Sequence, residues 1–496
     1  MFEHVVMPIK PAPKHTEKIS AGALAICLSL LSVTAHGQDA LNPQAQVRGG
    51  LTAVLAQVPA ETNVGLVVVD TATGRPWFEQ LPDTPLKPAS VMKLLVTAAA
   101  LEHLGADFTY TTRLFLRGDE LWVLGTGDPS LGDSRLNERA GRAAIYPFDT
   151  WVQALRRANV QTLNKIVLDD AVFDRQWRHP DWPADQAARW YQAPVGGLNF
   201  NDNCVDARAE IQDGQVLLKL HPRLPANFYT NKLRIGRQHK PVALRQPDQD
   251  FFEFSGSIKR ACTLAPVSAR RPTVFFGHAL RETLLANGID VQAGVVRRSL
   301  TPADFTPATL VIARCSTPLK DILWRCNTFS QNLFAECLLK TLATHAPGGQ
   351  PNGQTGSWTA GTSQVRHTLE SLGVDLNHAV LCDGSGLSHD NRVTARQITQ
   401  LLVCMYNQPH RDIFINSLAV PGQDGSMRQR YADPLLRNCL RGKTGSISGV
   451  SSLAGYLTRP DGTVLAFALL CNGPSNAKLP VRIGRVLAGA EADPPK

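Results

Sequence analysis

Ala89-Ser90-Val91-Met92-Lys93-Leu94-Leu95-Val96-Thr97-Ala98-Ala99-Ala100-Leu101 is a run of helix-forming, largely apolar residues that carries a serine and a lysine three positions apart. Pro82, Pro85 and Pro88 precede it and Gly105 follows it, so a loop is expected to give way to a helix near Ala89 that stops at Gly105. Residues i and i+3 lie on one helix face, which lets the Ser90 hydroxyl and the Lys93 amine meet. A serine is a weak nucleophile until a base takes its proton. A lysine can be that base only when neutral, and burial in an apolar helix, helped by a second cation nearby, lowers its pKa.

The segments around this run fit a sheet-and-helix module. Residues 64–69 are β-rich, Thr71-Ala72-Thr73-Gly74-Arg75-Pro76 carries turn residues, and residues 77–80 can return as a second strand. At the other end, residues 452–457, a turn at Arg459-Pro460-Asp461-Gly462 and residues 464–471 form a β-hairpin pattern. Residues 319–344 and 394–406 between them read as helices, residues 348–361 as a loop rich in small residues, and residues 383–388 as another loop. The expected fold class is α/β (α+β): one antiparallel sheet with strands from both ends of the chain, flanked by helices.

Two further strings carry chemistry. Ser330-Gln331-Asn332 falls within the helical stretch, and Lys443-Thr444-Gly445, followed by Ser446, opens an expected strand. Ser-x-x-Lys alone is expected by chance roughly once in a chain this long, whereas Lys-Thr-Gly turns up in about one such chain in ten. A strand edge of small residues lets a peptide lie alongside as an extra strand. Lys443 with the hydroxyls of Thr444 and Ser446 can hold a carboxylate there, and Gly445 keeps a side chain out of the way. Together the strings supply what acyl transfer through a serine ester needs.

The first two strings are 240 positions apart, which leaves room for a large insertion, read as residues 109–311. Its texture is short strand-like runs, 114–116, 121–124, 216–220 and 251–254, with one helix over 279–287 ending at Gly288. A chain of 496 residues exceeds what one core usually organises. The expected layout is a signal peptide over 1–37, a discontinuous catalytic domain over 38–108 and 312–496, and a mostly β insertion of two smaller domains, the inner one roughly 205–265.

Apolar content of 43% and charged content of 19% are those of a globular protein. Lys10, Lys14 and Lys18 precede an apolar run over 19–35 that ends at Ala35-His36-Gly37, the pattern of a secretory signal peptide. An N-terminal membrane anchor is the alternative, but the run falls short of the roughly 20 residues that span a bilayer. A periplasmic protein without a firm membrane anchor is the expectation, since the C-terminus also lacks a long amphipathic helix. Removing residues 1–37 lowers the net charge from +9 to +8, and the basic residues form no run interleaved with aromatics, which argues against nucleic acid. Nine cysteines remain after Cys27 is removed, an odd number with no Cys-x-x-Cys, and the 13 histidines include no His-Glu-x-x-His. No metal and no cofactor is expected.

Ser-x-x-Lys, Ser-x-Asn and Lys-Thr-Gly in this order resemble the active-site serine penicillin-recognising enzymes. The long insertion, Gly127-Asp128-Pro129-Ser130-Leu131, Ala193-Pro194-Val195 with Leu198-Asn199-Phe200-Asn201, and Asp383-Gly384-Ser385-Gly386-Leu387-Ser388 narrow this. The chain is similar to the D-alanyl-D-alanine carboxypeptidase/endopeptidase branch, the penicillin-binding protein 4 type among low-mass class C penicillin-binding proteins. The resemblance implies a transpeptidase/β-lactamase-like domain, a serine-type hydrolase acting on peptidoglycan stem peptides and crosslinks, and acylation by β-lactam antibiotics. It implies Ser90 as nucleophile, Lys93 as general base, Ser330 as proton relay tuned by Lys443, and Asn332 as holder of the substrate amide. Thr444, Gly445 and Ser446 would bind the substrate, with the backbone N–H groups of Ser90 and Ser446 as oxyanion hole. Where the family often has an arginine this chain has His389, and Ser448 stands where a glutamine can be; Asp185, after Trp182-Pro183, is a third candidate contact to the peptide. The alternatives are a serine β-lactamase or esterase of the same superfamily, disfavoured by the distance between the strings and by Ser330 in place of a tyrosine, and a non-catalytic wall-binding or β-lactam-sensing protein.

Overall fold

The computed structural model describes residues 42–429, 431–474 and 478–493. The expected signal peptide and Cys27 lie outside the described residues.

Five strands form an antiparallel sheet in the order Leu440–Ile447, Val450–Thr458, Val464–Asn472, Asn63–Asp70, Pro76–Gln80. The two C-terminal strands and Asn63–Asp70 are buried along most of their length because both sheet faces are covered. Side chains alternate between the faces. Val67, Ala454, Tyr456, Ala466 and Ala468 join the core beneath the central helices. Leu66, Val68, Leu453, Leu465, Phe467 and Leu469 face the other way, onto the terminal helices Pro43–Leu55 and Leu479–Leu487. The small residues on the first face let the helix Ala395–Tyr406 lie against the sheet, and the helix Lys93–Leu104 packs among the other helices with eleven of its twelve residues buried. That uniform burial explains why its sequence is apolar all round.

The chain leaves this module along Thr109–Arg117 and returns along Thr309–Pro318, which pair antiparallel with Thr109 opposite Pro318. These strands belong to a second, mixed sheet in the order Val295–Arg297, Lys165–Asp169, Glu120–Leu124, Thr109–Arg117, Thr309–Pro318. Its core includes Phe148, Trp151, Phe200 and Phe276, with the Phe148 and Phe200 rings stacked at 4.0 Å. A separate core, with Val205, Phe252, Phe254 and Ile258, lies under the strands Cys204–Gln212, Gln215–His221, Tyr229–Ile235, Lys240–Arg245 and Phe252–Ile258.

Four local expectations are corrected. Ser90 lies in a 3-10 turn, Ala89–Met92, and Lys93 is the first residue of the α-helix, so the pair straddles the junction. The stretch read as one helix over 319–344 is two, Leu319–Thr328 and Asn332–Thr344, because Ser330 adopts a left-handed φ of 60°. The strand bearing Lys443 begins at Leu440, so Lys443 is its fourth residue, and the helix Trp358–Ser371 starts inside the stretch read as loop. No disulfide forms among the described residues, where several thiols, such as Cys204, Cys326 and Cys337, are buried separately. No helix among the described residues is long and apolar enough to cross a membrane, and these residues contain no group of histidines, cysteines and carboxylates fit to hold a metal.

Candidate active site

The three strings converge at one cleft. Lys93 is fully buried, and its amine donates to Ser90 Oγ at 3.0 Å, Asn332 Oδ1 at 2.7 Å and the Ser385 carbonyl at 2.7 Å. The direction of the Asn332 amide is fixed from its other end, where Nδ2 donates to the Tyr191 carbonyl at 2.7 Å. Of the three partners of Lys93, Asn332 Oδ1 and the Ser385 carbonyl can only accept, while the Ser90 hydroxyl can also donate. When the amine loses a proton, its lone pair therefore turns to Ser90. Burial lowers the Lys93 pKa to about 8, although Cys326, Glu336 and Asp383 pull it back up.

Lys443, equally buried, donates to Ser330 Oγ at 2.8 Å and to the Thr444 carbonyl at 2.7 Å. Its pKa is pushed well below that of an ordinary lysine, first by burial and then by the charge on Lys93. Lys93 is depressed by burial and not by Lys443; the repulsion between the two amines is felt on Lys443.

The strand Leu440–Ile447 is the edge of its sheet, and Gly442 exchanges both backbone hydrogen bonds with Ala419 on the outer side. By the two-residue period, the backbone groups of Thr444 and Ser446 point outward as well. Thr444 Oγ1 donates to Ser426 Oγ at 2.9 Å. A Cβ on Gly445 would come within 2.6 Å of the Pro88 carbonyl and 3.1 Å of the Ser90 nitrogen, so glycine lets this strand approach the Ser90 turn.

The loop over 383–388 is fastened by two buried carboxylates. Asp383 accepts from Gly386 N, Ser388 N, Asn391 Nδ2 and Trp182 Nε1 at 2.7–2.9 Å. Glu336 accepts from Gly384 N at 3.0 Å, Ser385 N at 2.7 Å and Trp358 Nε1 at 2.8 Å. Burial and the nearby Asp383 raise the Glu336 pKa to about 7. Together they hold the Ser385 carbonyl on the Lys93 amine.

Above these groups lies a cleft of about 380 Å³. Ser90, Ser330, Asn332, Ser446, Ser448 and His389 line it, with Lys93 and Lys443 buried beneath. Pro183, Gln186, Trp190 and Tyr191 of the insertion line it too. Asp185 is exposed on the turn Ala184–Gln186 and does not line the cleft, whereas its neighbour Gln186 does. Sequence reasoning missed Tyr191, Trp190, Gln186, Ser426 and Glu336. Only Trp190-Tyr191, an aromatic pair in a Trp-rich stretch, carried any local signal.

The profile of the D-Ala-D-Ala carboxypeptidase 3 (S13) family matches residues 47–490. The chain belongs to that family. It is a serine peptidase by that membership. It is 32% identical over 462 residues to a D-alanyl-D-alanine carboxypeptidase of Actinomadura sp. (strain R39), covering 87% of this chain and 81% of that one. It is 23% identical over 443 residues to D-alanyl-D-alanine carboxypeptidase DacB of Haemophilus influenzae, covering 85% and 88%. The crystal structure of Haemophilus influenzae penicillin binding protein 4 shares the fold, with a TM-score of 0.68, 22% identity, and coverage of 86% of this chain and 94% of that one.

Proposed function

We propose that this family member cleaves the D-Ala-D-Ala terminus of peptidoglycan stem peptides and also their peptide crosslinks, through an acyl-enzyme on Ser90 that β-lactams form as well. What carries the reading is the Lys93 amine, whose only partner able to give up a proton is Ser90. Neutral Lys93 takes the Ser90 proton as Oγ attacks the penultimate D-alanine carbonyl. Ser90 and Ser446 N–H groups hold the oxyanion, usually a large term in acyl transfer. As the C–N bond breaks, Ser330 passes a proton to the leaving amine and is resupplied along its contact with Lys443. Water then cleaves the ester, with its proton returning by the same bases.

The Thr444 and Ser446 hydroxyls, backed by Lys443, would read the carboxylate beside the scissile amide. A terminal D-alanine carries that carboxylate, and so does the leaving centre of a diaminopimelate crosslink, which is why one site can serve both reactions. His389 and Ser448, on the cleft wall, would meet the peptide side chain, with Asp185 as a more distant contact. We further take residues 38–108 with 312–496 as the catalytic domain, residues 109–311 as an insertion of two domains, and residues 1–37 as the signal that delivers the protein to the periplasm.

The test is to incubate purified protein with a pentapeptide ending in D-Ala-D-Ala and with a crosslinked muropeptide, and to measure free D-alanine and uncrosslinked product. Release of both supports the dual activity; release of neither, by protein that is folded, ends the peptidase reading.

A further inference from the structure

The turn carrying Ser330 is held from the insertion. Gln331, the middle residue of the second string, is 4% exposed and uses both ends of its amide. Its Oε1 accepts from Asn332 N at 3.0 Å at the start of the helix Asn332–Thr344, and its Nε2 donates to Asp202 Oδ2 at 2.7 Å. Arg325 donates to the same Asp202 oxygen at 3.0 Å, and to Asp133 Oδ2 at 2.7 Å.

Asp202 sits in a strained turn of its own. Asn201, Asp202 and Asn203 have φ of 50°, 53° and 51°, a left-handed run that Asn and Asp tolerate better than other residues with side chains. The run is fixed on both sides: Asn203 Nδ2 donates to the Pro194 carbonyl and Asn199 Oδ1, each at 2.7 Å, and Asn201 Nδ2 donates to the Cys204 carbonyl at 2.9 Å. Strained backbone so over-determined by its surroundings is a mark of function. Two left-handed turns, one in the insertion and one at Ser330, thus meet through a single side-chain hydrogen bond.

The sequence says what the bond opposes. Residues 319–344 read as one continuous helix, and it is broken where Ser330 is left-handed and Gln331 is extended, with φ of −71° and ψ of 120°. Without its anchor, Gln331 is free to let the turn wind towards helix, which would carry Ser330 Oγ away from Lys443 and Asn332 Oδ1 away from Lys93.

We infer that Asp202 is a positioning residue for acylation: through Gln331 it holds the Ser330 turn open, so that the insertion is a working part of the active site. This rests on the roles proposed above for Ser330 and Asn332. The test compares acylation by fluorescent penicillin, pentapeptide kinetics and thermal melts for wild type, Asp202→Ala, Gln331→Ala, the double variant, Asp202→Asn and Ser330→Ala. Each single alanine variant at the bond is expected to slow acylation about 10–100-fold, with kcat falling and KM held within about threefold. The double variant is expected to be no slower than the worse single one, because both remove the same bond. Asp202→Asn keeps an acceptor for Gln331 and is expected to recover to within about fivefold of wild type. If Asp202→Ala does not fold, Gln331→Glu, which sets a carboxylate against Asp202, decides by slowing acylation at least about tenfold. Bond variants within about twofold of wild type, or penalties that multiply in the double variant, would overturn the inference. If Ser330→Ala alone collapses acylation while the bond variants do not, this inference falls and the Ser330 role stands. A silent Ser330→Ala would remove the role and the inference together.

Discussion

Lys93 Nζ stands 3.0 Å from Ser90 Oγ, and its other two hydrogen-bond partners are oxygens that can only accept. The amine therefore exchanges a proton with Ser90 alone. With its pKa brought to about 8 by burial, acylation by a β-lactam should rise with pH and level off above about 8, rather than near the usual lysine value. Stopped-flow acylation from pH 6 to 10 checks this; a flat profile would contradict it. The stability consequence has the opposite origin. Because the folded pKa lies below the unfolded one, Lys93 imposes a folding penalty that is fully present below about pH 8 and fades as pH rises towards 10.5. The melting temperature of wild type relative to Lys93→Met should therefore rise across that interval.

Gly445→Ala should damage the site without touching a reactive group. The added methyl meets the Pro88 carbonyl at 2.6 Å and the Ser90 nitrogen at 3.1 Å, which forces the strand and the Ser90 turn apart. Overpacking of this kind costs about 1–3 kcal/mol. Urea titration should show that loss, and acylation should slow at least about tenfold as the oxyanion donors separate.

Glu336→Leu should leave the N–H groups of Gly384, Ser385 and Trp358 without their acceptor. Each buried unmet donor costs about 1–3 kcal/mol, so the melting temperature should fall by several degrees. Acylation should fall as well, because the Ser385 carbonyl that steadies Lys93 loses its support. Glu336→Gln, which retains one acceptor oxygen, should lie between the leucine variant and wild type in both measurements.

Trp190→Ala should separate binding from chemistry. Trp190 lines the cleft from the insertion side and is 41% exposed, so its removal takes away wall and not base. KM for a crosslinked muropeptide should rise about 3–10-fold with kcat unchanged, while acylation by a small β-lactam stays near wild type.

Much of this was legible in the chain. Ser90 and Lys93 meet because three-residue spacing near a helix start is a local property, and the strand pairing around Lys443 follows from the apolar hairpin beyond it. The break at Ser330 was not legible, since the apolar helical pattern resumes on its far side and the left-handed turn is held through Gln331 by Asp202, 129 residues upstream of Gln331. The Tyr191 carbonyl that orients Asn332 is equally remote, at a separation of 141 residues. Backbone groups leave no mark in a sequence, and buried carboxylates such as Glu336 and Asp383 look like any surface residue until the packing around them is known. Asp185 marks a further limit: it stands exposed on its turn, and the neighbouring Gln186 lines the cleft.

The most direct test of the account is the intact mass of the protein after brief exposure to benzylpenicillin, followed by peptide mapping. The account predicts one added penicilloyl group, carried by the peptide that contains Ser90, and no adduct on Ser90→Ala. An adduct on any other residue, or full labelling of Ser90→Ala, would contradict it.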